Sequence, residues 1–328
     1  MKENSKIKVG VVGVGHLGRF HIEQYQLINV VDLVGFFDID IKASQNVSNI
    51  LNVKSYDCLD DLLDVCDAVS ICTPTSTHFE VSKKVMYKRC HLFIEKPITN
   101  NVQQARELIS LSKKNNTLVQ IGHIERFNPA FFALNKENIN PRFIESHRLS
   151  PFNVRGTDVD VILDLMIHDI DILITIVKSN IKLILASGVS VLSDKIDMAN
   201  TRIEFESGCV ANMTVSRISQ KTLRKFRIFE KNSYTNIDFL NPCVEKYILS
   251  NERPKNDFSY VVINENKEKY ILYDKPKINL HNALKVELQC FAESIQVSEE
   301  PVVSGNDGLR ALEIAMQIRD KINTKAFN

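Results

Sequence analysis

Apolar and polar positions divide the chain into two textures. Over the first 122 residues, short apolar runs at residues 8–14, 30–37, 68–72, 91–94 and 117–121 alternate with mixed segments of helical length, such as residues 101–115. Continuous apolar strands alternating with helices predict a parallel sheet covered on both faces. After Gly122 the texture changes. A helix over residues 164–177 is followed by strand-like runs at 181–192, 199–205, 209–217 and 226–229. In one of them Val210, Asn212, Thr214 and Ser216 alternate with Ala211, Met213, Val215 and Arg217, a two-sided strand pattern. Helices over residues 280–295 and 307–322 close the chain, the second signalled by Gly305-Asn306-Asp307-Gly308 as a turn and helix start. The expected architecture is an α/β domain over residues 1–122 and an α+β domain over 123–328 with a large, mostly antiparallel open sheet. The last helix is a candidate to pack back on the first domain.

Composition narrows the classes of function. Of 328 residues, 44% are hydrophobic and 25% charged, the mix of a globular enzyme. Lys and Arg total 41 against 40 Asp and Glu, so net charge points to neither nucleic acid nor an anionic membrane. Seven cysteines at irregular spacing form no C-x-x-C pair, so neither a structural zinc nor a redox dithiol is expected. They read as reduced thiols of a cytoplasmic protein. The start of the chain runs directly into a strand without a signal core, and no run approaches the ~20 apolar residues of a membrane span.

The first strand ends in G-x-G-x-x-G at Gly13, Gly15 and Gly18 and opens a helix, the context in which that pattern binds a dinucleotide. Gly13 permits the turn, Gly15 lets a pyrophosphate approach, and Gly18 lets helix and strand pack closely. The amides near His16 and Leu17 face the anion, favoured by the helix dipole. Asp38 lies 20 residues past Gly18, at the end of the second strand. There it accepts from the adenosine ribose and repels a 2′-phosphate, and Ile39 after it supplies no cation. The cofactor expected is therefore NAD.

Three further segments carry candidate chemistry. Thr73 and Pro74 follow the strand at residues 68–72, at the sheet end where ligands of α/β sheets bind. His78 nearby reads equally as a cofactor contact or a capping histidine. In Glu95-Lys96-Pro97, Pro97 restricts Lys96 to an extended conformation that aims its amine toward the nicotinamide region, where a desolvated lysine serves proton transfer. A surface lysine in a turn is the alternative. Asp164 and His168 lie four apart and share one helix face. They suit a carboxylate with a proton carrier, or a capping Asp with a core His.

Together, GVVGVGHLGRFH, FFDID, ICTPTSTHFE, FIEKPIT, DLMIHDID and GNDGLRALEIAMQI resemble the Gfo/Idh/MocA family (glucose–fructose oxidoreductase, inositol dehydrogenase and relatives) over the whole chain. The resemblance implies a Rossmann domain followed by a substrate domain whose open sheet often mediates oligomerisation, here a homodimer or homotetramer. It implies Lys96 and His168 as the catalytic pair supported by Asp164, with Glu95 and Lys96 near the nicotinamide ribose. The junction segment GHIERFNP and HRLSPFNVRGTDVDVILDLMIHDID are similar to the branch containing UDP-N-acetylglucosamine 3-dehydrogenases. Arg126, Asn128, Arg148 and Arg155 are then candidate substrate contacts, the arginines as holders of a diphosphate or as ordinary salt-bridge partners. The expected function is NAD-dependent oxidation of a secondary hydroxyl of a nucleotide sugar, UDP-N-acetylglucosamine at C3. The alternatives are a free polyol, inositol or dihydrodiol as substrate, and a non-catalytic NAD-binding sensor. No metal is expected.

Overall fold

The computed structural model describes residues 6–134, 139–153, 159–252, 259–264 and 267–325. The chain groups into two compact units, Met1–Phe127 with Asn282–Glu313, and Asn128–His281 with Ile314–Asn328. The sequence reading drew its boundary after residue 122. The grouping here falls five residues later and gives the first unit a stretch of late chain.

The first unit is built on a six-stranded sheet, all of whose pairings are parallel. Its strands are β1 (Ile7–Val12), β2 (Val31–Phe37), β3 (Ser55–Tyr56), β4 (Ala68–Ile71), β5 (His91–Glu95) and β6 (Val119–Gly122), in spatial order β3-β2-β1-β4-β5-β6. Helices α1 (His16–Tyr25), α2 (Ile41–Leu51), α3 (Leu59–Leu63), α4 (Thr75–Tyr87) and α5 (Val102–Asn115) alternate with them. Every residue of β4 is buried, as a strand covered on both faces requires. Capping sets the helix starts: Asp40 accepts from the amides of Lys42 and Ala43, and Asn101 from that of Gln104. The late helix Ala283–Val297 adds Leu288, Phe291 and Ala292 to the core around Val9, Val11, Ile22 and Phe93. Phe291 meets Phe93 edge to face at 5.8 Å, and burying one such ring stabilises by roughly 1.5–3 kcal/mol.

The second unit begins with α6 (Pro129–Phe132) and β7 (Phe143–Leu149). A π-helical turn, Ile162–Met166, then leads into α7 (Ile167–Val177). The strands β8 (Ile181–Val189), β9 (Met198–Phe205), β10 (Val210–Ser216), β11 (Leu223–Phe229), β12 (Ser233–Asp238), β13 (Cys243–Ser250), β14 (Ser259–Asn264) and β15 (Lys267–Asp274) complete a nine-stranded sheet. Its order is β14-β15-β13-β12-β11-β7-β10-β9-β8. Only the β10–β7 pairing is parallel among those described. One face is buried through Ile144, Ile203, Ala211, Met213 and Phe226. The other is half-exposed and carries Phe143, Phe229, Tyr234, Tyr247 and Tyr273.

Two sequence expectations change in detail. The helix expected over residues 164–177 begins earlier and passes through the π turn. The strand expected over residues 181–192 ends at Val189, because the Asp197 carboxylate captures the amides of Val191, Leu192 and Ser193 and turns the chain.

Candidate active site

The geometry of the glycine-rich turn requires glycine at Gly13 and Gly18. Gly13 has φ +88°, and a Cβ there would lie 2.8 Å from the Thr73 amide nitrogen. A Cβ on Gly18 would strike the Gly13 carbonyl oxygen, whereas one on Gly15 would meet nothing within 4 Å. Gly15, His16 and Leu17 form an exposed tip, and no side chain caps α1. Uncapped first-turn amides beside open space fit a dinucleotide's pyrophosphate. Asp38 braces this turn. Its Oδ2 accepts from the Val14 amide at 2.7 Å and its Oδ1 from the Asp40 amide at 2.9 Å. Ile39 beside it is 89% exposed and offers no charge to a 2′-phosphate.

Thr73 and Pro74 remain accessible at the end of β4, where Thr73 Oγ1 accepts from the Thr77 hydroxyl. His78 does not join them as a ligand contact. Its ring is buried, with Nε2 2.9 Å from the Thr73 carbonyl and Nδ1 3.0 Å from the Pro97 carbonyl. Both nitrogens face backbone carbonyls, to one of which the neutral ring donates, so His78 packs between two loops as a strut. Burial pushes its pKa below the ordinary histidine value, although those carbonyls pull upward.

The Glu95-Lys96-Pro97 turn closes β5, with a cis bond before Pro97. Lys96 is half-exposed, while Glu95, Pro97, Ile98 and Thr99 around it are buried. Glu95 Oε1 lies 2.9 Å from His21 Nε2 on α1, and Oε2 accepts from the Lys96 amide at 3.3 Å. Burial alone would raise the Glu95 carboxyl. The hydrogen bond and charge of His21, joined by Lys96, hold it below the ordinary glutamate value.

In the second unit, Asp164 sits inside the π turn and His168 in the first turn of α7. Over the buried stretch 161–173, only Asp164, Leu165 and His168 keep access to solvent. The capping role falls to Asp160, whose Oδ1 accepts from the amides of Ile162 and Leu163 at 3.0 Å each. Asp164 is thus not the residue that caps this turn. A π turn widens the helix locally and is frequent at functional sites.

The candidate substrate residues fare differently. Arg148 is buried and forks onto Asp169, with Nε at 3.0 Å and Nη2 at 2.7 Å from Oδ1, while Ser146 donates to Oδ2 at 3.3 Å. It anchors α7 to β7 and cannot hold a diphosphate, a correction to the sequence reading. Arg126 pairs with Asp307 at 3.4 Å and is largely enclosed. Asn128 is spent locally: its Oδ1 caps α6 through the Ala130 amide and its Nδ2 donates to the Phe239 carbonyl. Arg155 lies outside the described residues. The sequence reading passed over His21, although its spacing from Gly18 and Tyr25 places all three on the buried face of α1. It also passed over Asp169, Asp197 and Arg217, for which no local pattern exists.

Comparison with known proteins bears on this arrangement. Residues 7–123 match the model of an oxidoreductase family with an NAD-binding Rossmann fold. The UDP-N-acetylglucosamine 3-dehydrogenase of Acidithiobacillus ferrooxidans is 35% identical over 314 residues, spanning 95% of this chain and 96% of that protein. A solved structure of that enzyme aligns with a TM-score of 0.88 at 34% identity, covering 97% of this chain and 98% of the other. The myo-inositol 2-dehydrogenase of Thermotoga maritima is 24% identical over 339 residues, covering 97% of each chain. A scyllo-inositol dehydrogenase of Lactobacillus casei, solved with NAD(H) and scyllo-inositol, shares the fold with a TM-score of 0.77 at 19% identity and 98% coverage of both chains.

Proposed function

The chain belongs to the Gfo/Idh/MocA family of oxidoreductases, and from that premise we propose that it oxidises the 3-hydroxyl of UDP-N-acetylglucosamine. Its cofactor is NAD. The observation that carries the substrate reading is the 35% identity to a UDP-N-acetylglucosamine 3-dehydrogenase along nearly all of both chains. The inositol dehydrogenases, at 24% identity, are the weaker relatives and supply the competing substrate class.

In this reading the first unit holds the nucleotide. The amides of His16 and Leu17 receive the pyrophosphate, Asp38 accepts from the adenosine ribose, and Thr73, Pro74 and Glu95 line the nicotinamide end. Bound NAD supplies the hydride acceptor. Lys96 or His168 takes the proton of the substrate hydroxyl, and Asp164 supports them. The second unit carries the substrate and, through the half-exposed face of its sheet, self-association into a homodimer or homotetramer. On that face Phe143, Phe229, Tyr234, Tyr247 and Tyr273 form a row of ring contacts across five neighbouring strands. Such aromatics are enriched where a sheet meets a partner. A reducing cytoplasm suits the free cysteines, all seven of them. Among the described residues, no helix is long and apolar enough to cross a membrane.

The test is NADH formation with UDP-N-acetylglucosamine, free N-acetylglucosamine, myo-inositol and glucose as separate substrates, with the keto product trapped by an amine donor and aminotransferase or read by mass spectrometry. Turnover of the nucleotide sugar is expected. Activity on inositol or a free sugar, with none on the nucleotide sugar, would replace this reading with the polyol one.

A further inference from the structure

We propose that His21 is a positioning residue for Lys96: from the cofactor helix α1 it pins the buried Glu95 carboxylate, and that carboxylate in turn fixes the Lys96 backbone. The inference rests on the proton-transfer role proposed above for Lys96.

The geometry is continuous within one unit. His21 is fully buried on α1, three residues after the last glycine of the phosphate turn. Its Nε2 faces Glu95 Oε1 at 2.9 Å, and since a carboxylate only accepts, Nε2 carries the proton. The other oxygen, Oε2, takes the Lys96 amide. The two oxygens of one carboxylate therefore link α1 to the residue that bears the amine. The ring is held edge-on by Phe93 at 5.2 Å. Gly122 on the next strand leaves the carboxylate its room, because a Cβ there would come within 2.9 Å of Oε2. His78 Nδ1 lies 3.0 Å from the Pro97 carbonyl, so a second buried histidine packs against the turn.

Other titratable groups around Glu95 do not compete for this task. Tyr25 of α1 is pushed up by burial and shares a 2.7 Å hydrogen bond with Ser70, and Cys72 at the end of β4 is also pushed well up by burial. Both stay neutral near pH 7. His78 of α4 is committed to backbone. Loss of the His21 donor leaves a buried carboxylate with one strong partner fewer, and such a group takes up a proton at higher pH. A protonated Glu95 no longer needs to accept from Lys96 and no longer holds one pose. Misplacement of a reacting group by about an ångström costs on the order of 10²-fold in rate.

The experiment uses the full chain with NAD and UDP-N-acetylglucosamine, and the variants H21L, H21Q, E95Q and K96M. The Glu95 carboxyl is titrated by ¹³C NMR in the absence of substrate, its signal assigned by its loss in E95Q. In H21L the Glu95 midpoint should move to higher pH. The profile of kcat/KM should gain a limb that falls with decreasing pH, and kcat should drop by on the order of 10²-fold. H21Q, whose amide can donate to the same oxygen but carries no charge, should bring the midpoint and profile back toward those of the wild type. A purely structural His21 would lower thermal stability and leave both unchanged. An unchanged Glu95 midpoint in H21L, with K96M inactive, overturns this inference alone. If K96M keeps turnover, the Lys96 reading and this inference fall together. Should H21L not fold, E95Q decides: wild-type turnover and pH profile in that isosteric variant overturn the proposal, and a loss of turnover with NAD binding retained supports it.

Discussion

The phosphate turn of the first unit and the Asp164–His168 segment of the second reach a working geometry by opposite means. Around β1 and α1 the candidate phosphate site is built from backbone, with glycines at its tight positions and at its open tip. A Cβ is impossible at Gly18 and unobstructed at Gly15. In the second unit Asp164 sits in a π turn and His168 in the first turn of α7, and remote side chains set the pose of that segment. Asp160 caps its start, Arg148 grips Asp169 one residue past His168, and Arg217 reaches the Val159 carbonyl and Asp197. A site built from glycines and amides is robust and local. A site held by buried ion pairs depends on partners scattered over the chain, and each partner removed leaves a stranded charge.

The largest expected effect breaks the chemistry on both sides of this comparison. Lys96→Ala and His168→Ala should each lower kcat by ~10²–10⁴-fold with NAD binding retained. Near-normal turnover by either folded variant would remove that residue from the proton-transfer scheme.

Next comes the buried pair beneath α7. Arg148→Met leaves Asp169 as an unpaired buried carboxylate and should cost about 3–5 kcal/mol in chemical unfolding. Arg148→Met combined with Asp169→Leu should recover much of that. A stable single variant with a raised KM for the nucleotide sugar would return Arg148 to the substrate and refute its assignment as an anchor.

Smaller effects separate two of the glycines, Gly18 and Gly15. Gly18→Ala forces the turn apart and should destabilise by about 1–3 kcal/mol. Gly15→Ala should leave Tm nearly unchanged and weaken NAD binding, because its methyl occupies the space meant for ligand. Equal effects of the two on Tm would mean that the turn is not shaped around a ligand.

Asp38 sharpens the cofactor side. With the carboxylate in place, kcat/KM should favour NAD over NADP, and Asp38→Ala should shrink that ratio while loosening the turn through loss of the Val14 bond. Equal efficiency of the two cofactors in the wild type would count against the ribose assignment.

The smallest effect is acid stability. The folded Glu95 pKa lies below its ordinary 4.5, so this group stabilises the fold fully above that value. Its contribution is lost as pH falls through the lower folded value. A Tm series from pH 7 to 3 should therefore fall less steeply in Glu95→Gln than in the wild type.

The sequence by itself determined the alternating α/β half, the glycine turn, Asp38, and the Glu95-Lys96 and Asp164–His168 motifs. These are written in short windows, where apolar runs, glycine spacing and proline act on neighbouring residues. It did not disclose β7, because that strand buries Ser146 and Arg148 where an apolar residue is expected, so its periodicity carries no signal. The strands β12, β13 and β15 escaped for a related reason, since their half-exposed positions mix tyrosines with charges. Only the tertiary structure decided which polar residues are tools and which are struts. Arg148 and His78 look like ligand contacts in the sequence, yet Asp169 and the Thr73 and Pro97 carbonyls claim them. His21 looks like a filler of α1, yet it meets a carboxylate 74 residues away. Burial makes such groups find partners, and the partner is chosen by packing across the fold, where sequence distance has no meaning.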